Sequence, residues 1–547
     1  MRAACLVTVG LACLCAAAPA AADSPVPAST PAPLFDNLGT HHHAVTTKSK
    51  QAQRYFDQGV RLIYGFNHDE AIRSFKEAAR LDPQCAMAYW GIAFALAPNY
   101  NLPIDSERHA AAYAATQQAV ALAPHASPRE RAYLAAIATR YSNDPNADRK
   151  GLDAAFADAM RALSQRYPDD LDAATLFAES MMDLRPWDLW TLDGQPQPGT
   201  LEIVATLERV LKKDPKHLGA NHYYIHAVEA STRPERALPS AGRLAALVPG
   251  AGHLVHMPSH VYMRVGRYTD AAAANRHAIA VDQQYLAVAK PDGVYPMMYY
   301  PHNIHFLWAA ASMEGRSADA LQAAQAVAAQ LSPDMLRAMP MVEAFDVTPL
   351  YALARFGQWN ELLQQAAPAE EFNFSLAIWH YARGLALAAT QQYDAAAQEQ
   401  AAVAALAAEM PADRIVGDNT PAQALLRLAA ITLAGELAAR RGATDDAVRD
   451  LEEAVRVQDS LPYSEPPPWY YPTRQSLGAV LLAAGRPKEA EAVYREDLTR
   501  NPENGWSLYG LEQSLRAQGA VPEATRVAAR FHKAWAHADV TLAASRF

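Results

Sequence analysis

The stretch Gln58-Gly59-Val60-Arg61-Leu62-Ile63-Tyr64-Gly65-Phe66-Asn67-His68-Asp69-Glu70-Ala71-Ile72-Arg73-Ser74-Phe75-Lys76-Glu77-Ala78-Ala79-Arg80-Leu81-Asp82-Pro83 decides the fold. It reads as two helices in a unit of about 34 residues. Gly59 lets the first helix approach its neighbour. The small Ala71 and Ala78 and the aromatic Phe75 pack the second, and Pro83 ends it. Leu477, Gly478, Ala490, Tyr494 and Pro502 repeat the spacing near the other end, and Ala524 follows Ala490 by 34 residues. Weaker copies lie between: Gly384 with Ala396, and Gly435 with Ala447 and Ala454.

These residues resemble the tetratricopeptide repeat superfamily over most of residues 50 to 540, or about nine to eleven helix pairs. The resemblance implies an all-α, right-handed helical solenoid whose first helices line a concave groove where ligands bind. It points to an exported bacterial protein of this type with a His-rich central region. Composition agrees: apolar residues make up 51% of the 547, Ala and Leu favour helix, and β-branched runs are scarce. The middle departs from the pattern. Ala237 and Pro249 fit with Ile225 in the Gly place, and Ala271 and Ala278 fit with Ser259 there. Ala320 follows Ala271 by 49 residues, so about 15 are inserted. That insertion, Gln283 to Tyr300, carries Tyr285, Tyr295, Met297, Met298, Tyr299 and Tyr300; another, Arg185 to Thr200, carries Trp187 and Trp190.

The termini set the compartment. Arg2, the apolar run Ala3 to Ala18 and the small residues Ala20-Ala21-Ala22 read as a cleaved signal peptide, residues 1–22, so the protein is expected to be periplasmic or secreted. Residues 23–47 read as a disordered tether with a His-rich arm, 48–170 as N-terminal repeats, 171–335 as central repeats and 336–547 as C-terminal repeats. Only Cys85 remains after cleavage, a small core residue with no partner for a disulfide. A formal charge of −10 argues against nucleic acid. No later apolar run reaches 18 uncharged residues, so no transmembrane segment is expected.

Half of the 18 His fall between His217 and His305. His222 and His256 are 34 apart, as are His226 and His260; His253 and His302 are 49 apart, as are His256 and His305. Equivalent places on successive first helices share one face, because steps of three and four stay aligned. Glu229 sits one turn beyond His226. The expected ligand set is His222, His226, Glu229, His253, His256, His260, His302 and His305. Pro258 disfavours an unbroken helix through His253 to His260. Weaker candidates are His41-His42-His43 approaching the site, Glu179 and Asp183 as outer ligand or acid, and Arg264 holding a substrate carboxylate. Pro466 to Tyr471 reads as a rigid connector.

Imidazole-rich, thiolate-free ligation suits copper first, then iron or zinc. The paired His resemble, weakly, coupled dinuclear copper proteins. Three functions follow: an oxygen-using metal-dependent oxidoreductase with the Tyr/Met insertion as its lid; a scaffold binding a protein, a peptide or a small molecule in the groove; or a metal-delivery protein.

Overall fold

The computed structural model describes residues 31–144 and 146–547. The expected signal peptide and the first part of the tether lie outside them. Helices follow one another from Lys50–Ile63 to Val521–Ala534, and nearly all pack on the next. Among the described residues the only sheet is a two-stranded hairpin, Ile415–Val416 with Thr420–Pro421. The protein is therefore an all-α helical solenoid.

The opening pair packs as its sequence dictates. Lys50–Ile63 and His68–Leu81 meet at Gly59, where a Cβ would stand 2.5 Å from the Phe75 ring. Asn67 caps the second helix through the Glu70 amide. Cys85 is buried, and burial pushes its thiol up to about 11, so it stays an unreactive core group. The Ala422–Arg440 helix is long and apolar enough to cross a membrane, but most of it is buried inside the solenoid.

Two features depart from an open spiral. Residues 32–47, expected as a free tether, lie against the first repeats. Ala32 and Leu38 are buried, Tyr55 Oη donates to the Ala32 carbonyl at 2.9 Å, and the Gly250 amide donates to Asn37 O at 2.9 Å. Few of these residues carry a strong structural signal, but backbone groups of Pro33, Phe35, His41, His43, Val45 and Thr46 are satisfied by side chains of neighbouring helices. The last repeats also fold back on the central ones. Trp506 Nε1 donates to Ser312 O at 3.0 Å and Tyr268 Oη to Pro502 O at 3.0 Å. One apolar core gathers residues from Ala32 to Tyr299, and a second gathers residues from Tyr300 to Leu542.

Candidate metal centre

The Leu218–Glu229 helix is buried along its whole length and carries His222, His226 and Glu229. Next come two short helices, Gly252–His256 and Pro258–Arg264, joined at Met257. Met257 keeps helical dihedrals (φ −50, ψ −34), and its amide still donates to His253 O at 3.0 Å. Pro258 thus removes its own N–H without turning the preceding histidines off the face. Gly252 allows this helix to seat against Asp282, whose Oδ1 would be 1.9 Å from an added Cβ.

The rings gather into two trios. Ligand atoms of His222, His226 and His253 lie within 4.8 Å of one another, as do those of His256, His260 and His302. His222 Nε2 is 3.1 Å from His226 Nε2 and 3.2 Å from His253 Nε2, while His256 Nε2 is 2.8 Å from His260 Nε2. The trios adjoin, with the His226 and His260 ring centres 5.5 Å apart. Phe66 stacks on His226 and His253, and Phe306 stacks on His260.

The proton positions follow from the partners of the other ring nitrogen. His222 Nδ1–H donates to the Tyr64 carbonyl at 2.7 Å. His226 and His260 donate from Nδ1 to the two oxygens of Glu229, at 2.9 and 2.6 Å. His256 Nδ1–H donates to Asn275 Oδ1 at 2.6 Å, and Asn275 is oriented by its own donation to Ala271 O. Four rings therefore carry their proton on Nδ1 and turn an Nε2 lone pair inward. Two acceptor lone pairs at hydrogen-bond distance, with no proton between them, repel. Burial opposes a second proton: it lowers the His222, His253, His256 and His302 rings well below their usual value, and neighbouring rings add to this. Burial would raise the Glu229 carboxyl, but His260 and His226 outweigh it and hold it far below the carboxylate range.

Glu229 stays in the cluster: its carboxylate lies within 4.8 Å of ligand atoms of His226 and His260 and accepts from both rings at Nδ1. Other expected residues fall elsewhere. His305 joins neither trio; its ring stacks on Trp308 at 4.8 Å and meets Phe345 edge-on, and burial lowers it to about 3. The 49-residue register treated the insertion as neutral, but the chain makes a π turn at Tyr295–Tyr299 before the Tyr300–Met313 helix, and His302 is the ring brought to His256. Nor do the rings line an open groove. Tyr299, Tyr100, Trp187 and Phe66 close over them, and five of the six are at most 2% exposed; His302 alone is partly open. Both aromatic insertions serve here: Trp190 Nε1 donates to Ala227 O at 2.8 Å, and Tyr295 Oη accepts from the His253 amide at 3.1 Å.

His41 and His43 do not approach the centre. His41 Nε2 lies 3.0 Å from Asp172 Oδ1 and His43 Nδ1 lies 2.6 Å from Oδ2; Tyr64 Oη donates to Oδ1 at 2.6 Å and His217 Nε2 is 3.2 Å from it. His42 pairs with Asp57 instead. Glu179 and Asp183 face buried Arg140, which donates to Asp183 at 2.7 Å. Arg264 donates to the carbonyls of Glu229 and Ser231. Sequence reasoning missed Asp172, Asn275, the Tyr64 carbonyl and the two Phe caps: Asp172 is 129 residues from His43 and Tyr64 158 from His222, and Asn275, only 19 from His256, sits on a different helix, so no local spacing reads them.

No protein-family model matches the chain, and no curated protein matches it either. Among solved structures it is similar to the Cut9 assembly with Hcn1 from the APC/C (13% identity, 85% of this chain and 76% of that one, TM-score 0.32). It is also similar to human IFIT1 in a dimer with m7Gppp-AAAA (11%, 89% and 90%, TM-score 0.29) and to yeast Tom70 (10%, 89% and 91%, TM-score 0.27). Its own helix pairs, closed by Phe75 over Gly59 at one end and Tyr494 over Gly478 at the other, make the chain a tetratricopeptide-type helical solenoid with a buried histidine cluster.

Proposed function

We propose that the cluster is a dinuclear metal centre and that the protein is a metal-dependent oxidoreductase using oxygen, with copper as the metal and iron or zinc as alternatives. One ion would be held by His222, His226 and His253, the other by His256, His260 and His302. The observation that carries this reading is that the Nε2 lone pairs of His222 and His226 face each other at 3.1 Å and those of His256 and His260 at 2.8 Å. A first-row ion about 2.0–2.1 Å from each nitrogen would place them roughly 2.9–3.4 Å apart, and its charge would replace the repulsion with attraction. Imidazole sets of this kind suit copper, which supplies one-electron chemistry with dioxygen when bound.

The chain's own residues perform the rest. Glu229, Asn275 and the Tyr64 carbonyl fix the tautomers and aim the rings. Phe66 and Phe306 wall each trio from water. Glu229, shared between one ring of each trio, couples the orientation of both halves.

A second reading, a scaffold that binds a protein or peptide, is favoured by a different feature. A cleft of about 740 Å³ opens between residues 190–235 and 458–502, walled by Trp190, Tyr463, Trp469 and Tyr470. Metal analysis of protein purified without a His tag separates the two readings. We expect about two ions per chain, one for each three-ligand set, and for copper an absorption spectrum that responds to oxygen. Protein that stays metal-free after exposure to copper(II), iron(II) and zinc(II) would leave the scaffold reading.

A further inference from the structure

Of the six ligand rings only His302 is partly exposed, and it lines a small chamber. The chamber measures about 40 Å³ and is lined by His302 and His305, by Met298, Phe345 and Phe374, and by residues 416–418 and 464–468. Three further lining residues are buried and polar: Trp308 (3% exposed), Tyr351 (3%) and Thr420 (1%). Trp308 Nε1, Tyr351 Oη and Thr420 Oγ1 have no hydrogen-bond partner among the described residues. A buried donor left unmade costs about 1–3 kcal/mol, and an acceptor held in the chamber that these three residues line would offset that cost.

The occupant's chemistry follows from size and polarity. At roughly 10–15 Å³ per water-sized particle, the chamber takes about three such atoms and no aromatic ring. The indole N–H is donor only, and both hydroxyls can donate. Asp418 and Glu465 add carboxyls that burial pushes up, Asp418 to about 6. We propose that this chamber is the co-substrate site of the centre, in which Trp308, Tyr351 and Thr420 hold a hydrogen-bond acceptor of two or three non-hydrogen atoms, of the dioxygen or peroxide class, next to His302. This rests on the dinuclear reading. The outer cleft shares Trp308, Ser464, Glu465, Pro467 and Pro468 with the chamber, so one wall sorts ligands by size: small acceptors inside, larger molecules outside.

Azide, a three-atom acceptor, is the probe. It is titrated into the copper(II)-loaded full chain, and binding is read from the charge-transfer absorption. Tyr351→Phe, Thr420→Val and Trp308→Phe should each weaken azide about tenfold, the loss of one hydrogen bond to a charged partner, at unchanged copper content. Ala344→Leu, which fills the chamber from its wall, should abolish azide binding while copper stays. Tyr268→Phe, in the outer cleft, should change neither. Because Tyr351 Oη and Thr420 Oγ1 have no protein partner to lose, metal-free Tyr351→Phe and Thr420→Val should melt no lower than the parent, which separates ligand loss from misfolding; Trp308→Phe also gives up its stack on His305 and should melt lower. Azide affinity equal to the parent's in all three polar variants and in Ala344→Leu overturns the chamber assignment and leaves the centre standing. Failure of the parent chain to retain copper overturns both.

Discussion

Two histidine clusters lie on opposite sides of Tyr64, the first partly open at His41 and the second at His302. Around Asp172, His41, His43 and Tyr64 direct N–H or O–H groups at one carboxylate. His217 accepts the Ala220 amide at Nδ1, which leaves its proton on Nε2, 3.2 Å from the same carboxylate. Around His222 and His256 the protons are drawn outward to Tyr64 O, Glu229 and Asn275, and lone pairs meet in the middle. In the first cluster protons point at a carboxylate, although His43 Nε2 and His217 Nε2 make no hydrogen bond; in the second, on the proposed reading, the lone pairs would meet a cation. Ligand atoms of His41, Asp172 and His217 also fall within 4.8 Å of one another, so proximity alone does not separate the two. Tautomers do, because a nitrogen that carries a proton offers a metal nothing.

The largest expected effect breaks the comparison outright. Replacing His226 and His260 together by Ala should take metal content from about two ions per chain to near zero, since each trio keeps only two rings. The matching pair at the other cluster, His41→Ala with His43→Ala, should leave metal content untouched. Mass spectrometry of metal in both proteins decides it, and equal loss in the two would erase the distinction.

Asp172→Asn tests the carboxylate side. It removes the acceptor from a buried, charge-assisted network, and we expect a loss of about 3–5 kcal/mol in denaturant unfolding. Residues 32–47 should then become cleavable by limited proteolysis, with metal content retained.

Glu229→Gln sharpens the other side. An amide accepts from one ring but presents N–H to the second, so both halves lose alignment. Affinity should fall about 10–100-fold for both ions together, as for outer partners of ligating His. Asn275→Ala, which frees His256 alone, should weaken one ion and spare the other in a competition titration.

The arm should also answer to pH. Burial lowers the His43 ring, but Asp172 outweighs it and raises the ring above its ordinary value, while Asp172 itself is held well below the carboxylate range by His41, His217 and His43 against its burial. The His43 contribution is full below the ordinary His value of about 6.5 and fades as pH rises through the raised one; the Asp172 contribution is full above about 3.9 and fades only in acid. Protection of residues 32–47 from protease should be greatest between those limits and decline toward alkaline pH.

Pro258→Ala carries the smallest expected effect, within about 1 kcal/mol in stability and none in metal content. The backbone there is already helical, so Ala adds one N–H and changes no ring direction. A large loss of metal would mean that the break at Met257 itself positions His253.

The repeat was legible because Gly59 and Phe75, or Gly478 and Tyr494, are local chemistry at a fixed spacing. So was the membership of His222, His226, His256 and His260, since a four-residue step places two rings on one helix face whatever surrounds it. The division into trios was not. Register made His222 equivalent to His256, yet His222 shares its trio with His253, and His302 rather than His305 completes the other. A π turn and an insertion that folds inward reset the third helix, and helical phase after an irregular segment cannot be counted from residue numbers.

What the sequence determined alone was the helix-pair architecture and the supply of imidazoles on successive first helices, because both depend on interactions within about one repeat. Tertiary structure decided which nitrogens face inward, that the groove is closed over them, and that the His of the N-terminal arm turn to Asp172. Those choices rest on partners up to 158 residues apart, as with His222 and the Tyr64 carbonyl. A proton's place on an imidazole ring is set by whichever acceptor the fold brings to it.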